Sequence, residues 1–122
     1  MTRSVLLQLA RDSIQEVLEA HRSIEKQVLL SEHPLLCEIM ATTVKIYIDG
    51  ELRGESATTF PVFSLLEDII KNSKIAAFED KNFSPITTSE YLNCELELIL
   101  TTADGIISER DPSILSTTKF TL

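Results

Sequence analysis

The sequence predicts an α+β fold, an antiparallel or mixed sheet with two main helices packed largely on one of its faces. Three observations carry that expectation. Two segments, near residues 4–21 and 62–78, repeat apolar residues at helical spacing. Between them lies Thr42–Ile48, rich in β-branched residues and followed by Asp49-Gly50 and Glu51–Ala57, the strongest short-range hairpin signal in the chain. After the second helical segment, Leu92, Cys94, Leu96, Leu98 and Leu100 alternate with Asn93, Glu95, Glu97, Ile99 and Thr101, polar but for Ile99.

The first helix is expected from Ser4, which suits an N-cap, to about His21, with Val5, Leu6, Leu9, Ile14, Val17, Leu18 and His21 on its apolar stripe. Residues 22–37 have no clean period. A short helix within Ile24–Leu30 is consistent with the pattern, and Pro34 then forces the residue before it towards extended backbone. For the hairpin, a two-residue turn would set Ile46 beside Arg53 and Val44 beside Glu55, mixing charge into the apolar face. A three-residue loop with Gly50 at a left-handed bulge position instead pairs Ile46 with Leu52 and Val44 with Gly54, so hydrophobic matching favours the longer loop. Arg53 and Glu55 are then expected together on the opposite face.

Pro61 suits a first helical turn, and Ser64 with Glu67 reads as a capping box ahead of Leu65, Leu66, Ile69, Ile70, Ala76 and Ala77. The second helix is therefore expected over Val62–Phe78. Leu92, Cys94, Leu96, Leu98 and Leu100 form the apolar face of the next strand. Residues 103–112 read as a loop, and residues 117–122 as a short edge strand or a frayed end.

The 122 residues, 43% of them hydrophobic, suit one core and thus a single domain spanning residues 1–122. With 19 acidic against 11 basic residues the net charge is −8, which opposes nucleic acid and anionic membrane surfaces. Gln8, Arg11 and Asp12 interrupt the only early apolar run, and no stretch reaches membrane-spanning length. Two cysteines, Cys37 and Cys94, give no disulfide framework and fit a reducing compartment, so a cytoplasmic protein with free thiols is expected.

The run Asp49-Gly50-Glu51-Leu52-Arg53-Gly54, followed a helix later by Ala76-Ala77-Phe78-Glu79-Asp80 and then Phe83 and Pro85, resembles the AMMECR family. The resemblance extends from the first helix to about Leu100 and implies an α+β domain. The family's prokaryotic members are the A proteins of AmmeMemoRadiSam systems, so it also implies a radical-SAM or Memo-like protein as partner. The departures are specific. Where the family's usual pattern continues with Cys-Ile-Gly, this chain has Glu55-Ser56-Ala57. Asp-Pro-Arg-Phe is replaced by Asp80-Lys81-Asn82-Phe83, and the family's usual C-terminal part has no counterpart after Thr102.

The candidate ligand-binding residues are Arg53, Gly54, Glu55, Glu79 and Asp80. Arg53 with Glu55 and Asp80 has the chemistry to hold a small anion or exchange a proton; the competing reading is a charge pair on a solvated sheet face. Gly54 permits close approach of a ligand, or marks a bulge or tight packing. Glu79-Asp80 is disfavoured at a helix C-terminus, unless Asp80 organises the following turn through backbone hydrogen bonds. Cys94 on an apolar strand face is expected to be inert. His21, His33, Cys37 and Cys94 lack metal-ligand spacing, and the three glycines form no phosphate loop, so neither metal nor cofactor is expected. The sequence therefore favours a non-catalytic accessory or interaction module, with self-association as a further expectation. The alternative is a small-molecule-binding protein or enzyme using Arg53, Glu55 and Asp80.

Overall fold

The computed structural model describes residues 3–102 and 105–114. In chain order these form α1 (Val5–Glu19), α2 (Lys26–Glu32), a 3-10 turn (Pro34–Cys37), β1 (Ala41–Ile48), β2 (Glu51–Ala57), α3 (Leu65–Phe78), α4 (Thr88–Asn93), β3 (Glu95–Thr102) and β4 (Gly105–Asp111). The sheet has four strands in the order β2-β1-β3-β4, and every neighbouring pair is antiparallel. The expected α+β class is correct, and the sheet is purely antiparallel. Since β1 opposes both neighbours, β2 and β3 run parallel with β1 between them, and α3 lies in the crossover that joins them.

The helical layer is α1 and α3, which pack against each other and against the sheet. Leu9 and Ile14 of α1 and Leu65, Leu66, Ile69, Ala76 and Ala77 of α3 are buried with Val44 and Ile46 of β1 and Leu96, Leu98 and Leu100 of β3. Even-numbered residues of β1 and β3 thus form the covered face, as the period-two pattern requires. The other face carries the cross-strand row Glu55–Lys45–Glu97–Arg110, in which adjacent charges alternate in sign. Tyr47 donates to Glu97 at 2.9 Å and lies under the Arg110 guanidinium.

Ser4 caps α1, accepting a hydrogen bond from Leu7 N, and the helix ends at Ala20, whose φ of 53° is left-handed. The expected stripe needs correction: Val5 and Val17 are more than a third exposed and His21 lies beyond the helix, whereas Leu7, Ala10 and Arg11 are buried. A helix wedged between a sheet and a second helix buries a broader arc than one apolar line. For α3, Ser64 accepts from Glu67 N at 3.3 Å, but Glu67 pairs with Lys26. Pro61 falls before the helix in an exposed stretch, not in its first turn.

The hairpin register also differs from expectation. Asp49 and Gly50, with φ of 53° and 81°, form a two-residue turn closed by Ile48 opposite Glu51. The irregularity sits inside β2: Tyr47 faces Leu52 while Ile46 faces Gly54, leaving Arg53 as the extra residue. The conflict between tight turn and apolar matching is resolved by a bulge in the strand, not by a longer loop. Residues 105–111, expected within a loop, form β4 along β3; Ile106 and Ile107, adjacent, on opposite faces and both exposed, hide the alternation that would mark a strand. The strand or frayed end expected over 117–122 lies outside the described residues.

Candidate functional site

The bulge at Arg53 turns its side chain towards the segment that follows α3. Arg53 Nε donates to Glu90 Oε2 at 3.0 Å, and Nη2 donates to Glu90 Oε1 at 3.1 Å and to the Ser84 carbonyl at 2.9 Å. The Phe83 ring lies 5.4 Å from the guanidinium carbon. Glu90 also closes a capping box with Thr87 at the start of α4, accepting from Thr87 N while Thr87 Oγ1 accepts from Glu90 N. The hydrogen bond from Arg53 is the chief cause holding the Glu90 carboxyl below its ordinary pKa, followed by that from Thr87 N.

Asp80 faces the same strand but serves the backbone. Its Oδ2 accepts the Glu55 N–H at 2.9 Å and its Oδ1 accepts the Asn82 N–H at 2.8 Å. The Asp80 carbonyl accepts from Phe83 N, and Ile86 N satisfies the Ala77 carbonyl at the end of α3. The disfavoured acidic residue after the helix is thus offset by two charge-assisted bonds. One of them occupies a β2 amide that an edge strand would otherwise present to solvent.

Gly54 is explained by contact with α3. A Cβ built there would lie 2.1 Å from the Ala76 carbonyl oxygen, so strand and helix meet backbone to backbone. Glu55 is exposed on the uncovered face opposite Lys45, and Glu79 is exposed at the C-cap of α3. The structure therefore brings Arg53, Gly54 and Asp80 together around one seam. It separates Glu55's side chain from Arg53, because the bulge breaks the shared face that the longer loop would have given them.

Two further polar clusters were not read from the sequence. Arg11, 1% exposed, donates through Nε to Asp111, through Nη2 to the carbonyls of Cys94 at 2.8 Å and Pro112 at 3.1 Å, and through Nη1 to the Tyr91 carbonyl and the Cys94 sulfur. Burial raises the Cys94 thiol pKa, against the lowering influence of Arg11, so the sulfur is a proton-bearing packing group at neutral pH. Both cysteines are free, Cys37 exposed and Cys94 buried. The second cluster is Asp68, fully buried at the start of α3. It accepts from Thr42 N at 2.8 Å, from the Thr42 and Thr58 hydroxyls and from Asn72, while Asn72 also accepts from Ser56. The signals were present: Arg11 stands between Leu7 and Ile14 on one helical face, and Asp68 and Asn72 interrupt the face of Leu65 and Ala76.

Among the described residues no group of three or more His, Cys, Asp and Glu is arranged to hold a metal ion, and no helix is long and apolar enough to cross a membrane.

These features define a two-layer α+β domain in which a bulged hairpin is clasped to the turn after the central helix by an arginine and an aspartate. The chain belongs to the AMMECR1 family, whose profile matches residues 7–114. It is similar in structure to the uncharacterized protein PH0010 from Pyrococcus horikoshii, with a TM-score of 0.71 and 29% sequence identity over 80% of this chain. The matched region spans 49% of that protein, about half its length. No curated protein matches.

Proposed function

We propose that this chain is a non-catalytic interaction module of the AMMECR1 family, accessory to a radical-SAM or Memo-like protein. The observation that supports this reading is how the signature residues are used. Arg53 is engaged by Glu90 and Ser84, and both carboxylate oxygens of Asp80 accept backbone N–H groups. A ligand at Arg53 would have to displace a bidentate carboxylate, an arrangement that favours a fixed scaffold over a reactive centre. Where the family's usual pattern has a cysteine, this chain carries Glu55, exposed on the outer sheet face.

The test is co-expression of the tagged chain with the radical-SAM and Memo-like proteins of its own cell, followed by size-exclusion chromatography with light scattering. A stoichiometric complex with either supports the module; elution of the chain apart from both overturns the partner assignment. The chain run alone in the same experiment reads self-association separately.

A further inference from the structure

Glu16 near the end of α1, the amide-bearing turn after it, the start of α2 and Ile70 and Lys74 of α3 line a cleft of about 380 Å³, within the range of small-ligand sites. Its wall carries Arg22, Lys26 and Lys74 against a single acid, Glu16, while Ile24 and Ile70 supply apolar surface. This is an inversion of the chain's overall balance: a molecule of net charge −8 gathers three of its 11 cations here.

Glu16 is already committed. Its Oε2 accepts the N–H groups of Ser23 at 2.7 Å and Ile24 at 2.8 Å, and its Oε1 accepts from Lys74 at 3.4 Å. Burial opposes its charge, but these bonds together hold its pKa below the ordinary value, so it remains an anion within the turn. Lys26 meets Glu67 at 3.1 Å, with both side chains about half exposed, a pairing that exchanges readily with water and solutes. Arg22 has no hydrogen-bond or ion-pair partner among the described residues. Glu16 therefore shapes the turn, Arg22 is the uncommitted cation of the lining, and Lys26 and Lys74 each keep ammonium donors beyond their one carboxylate contact.

We propose that this cleft binds a small organic anion, its carboxylate or phosphate held by Arg22 and Lys74 with Lys26 at the rim, and its apolar body resting on Ile24 and Ile70. Guanidinium and ammonium donors recognise the negative group, and the concave wall concentrates the local positive potential. The site is separate from the Arg53–Asp80 seam and does not depend on the interaction-module reading.

The experiment is a titration of the isotopically labelled full chain, followed by amide and methyl NMR, with benzoate, inorganic phosphate and, as cationic control, benzylamine. Saturable shifts at Ser23, Ile24, Ile70 and Lys74 with benzoate or phosphate up to about 10 mM support the site. Arg22→Gln and Lys74→Gln, each checked for a native spectrum, are expected to weaken that binding about fivefold. If phosphate binds as well as benzoate, the negative group rather than the apolar body is what the cleft recognises. Absence of saturable shifts with both anions, an equal response to benzylamine, or binding unchanged in both variants would overturn the proposal.

Discussion

Arg11 of α1 and Asp111 of β4, a hundred positions apart, meet in the interior: the guanidinium donates through Nε to Asp111 Oδ2, and Arg3 donates to the same oxygen at 2.9 Å. The pair fixes the far edge strand to the first helix. β4 pairs with β3 along its length, but Ile106 and Ile107 near its start are exposed, so the apolar core adds little there to the hold of the ladder and the ion pair.

Removing one partner should be costly. Asp111→Ala leaves a buried guanidinium without its carboxylate, and we expect a loss of about 3–5 kcal/mol in urea unfolding. Arg11→Met combined with Asp111→Leu should lose less than the sum of the single changes, since neither charge is then stranded.

The glycines give a contrasting pair. Gly54→Ala drives a methyl group into the Ala76 carbonyl and should destabilise by about 3 kcal/mol. Gly50→Ala meets nothing within 4 Å and suffers only from its φ of 81°, an expected cost of about 1 kcal/mol. Thermal melts of the two variants would reverse this order if the helix yielded freely at residue 76.

Glu90 supplies a pH signature. Its folded pKa lies below the ordinary value of 4.5, so the stabilisation it contributes is complete above that value and is lost as pH falls through the lowered folded value. The stability gap between wild type and Glu90→Gln, about 1 kcal/mol at neutral pH, should narrow steadily below about pH 4. A gap constant across that window in denaturant titrations would contradict the assignment.

Asp80→Ala removes the acceptor of the Glu55 and Asn82 amides. Hydrogen exchange at both amides should accelerate, with an overall destabilisation of about 1–2 kcal/mol. Unchanged protection at Glu55 would show that another group holds that edge.

The two thiols should be kinetically distinct. A disulfide reagent is expected to label exposed Cys37 in the native protein and to reach Cys94 only on unfolding, because that thiol is buried with a raised pKa. Labelling of both at one rate would overturn the packing described for Arg11 and Cys94.

What was legible in the sequence was whatever a local period or turn residue could specify. The parity of Cys94, Leu96, Leu98 and Leu100, the place of the hairpin at Asp49-Gly50 though not its turn length, and the Ser64 cap are of this kind. A bulge or tight packing at Gly54 was open from the sequence, but its combination with a two-residue turn was not, since the contact of Gly54 with Ala76 lies outside any local pattern. Arg53's partner lay hidden for a related reason. Glu90 is 37 positions distant and also reads as an ordinary capping residue for its own short helix. Likewise, β4 is held by Arg11, Arg3 and Ser4, residues at the opposite end of the chain.

The uncovered sheet face has a consequence for how copies of this molecule meet in concentrated solution. Its row of Glu55, Lys45, Glu97 and Arg110 sums to zero and Glu95 opposite Tyr47 adds one negative charge, so the overall charge of −8 is carried mostly elsewhere and does little to push a second sheet away from it. What resists stacking there is water: two such faces could touch only by dehydrating groups whose charges are mostly matched within their own sheet. Colloidal behaviour at this surface should therefore respond weakly to added salt, unlike that of the acidic remainder.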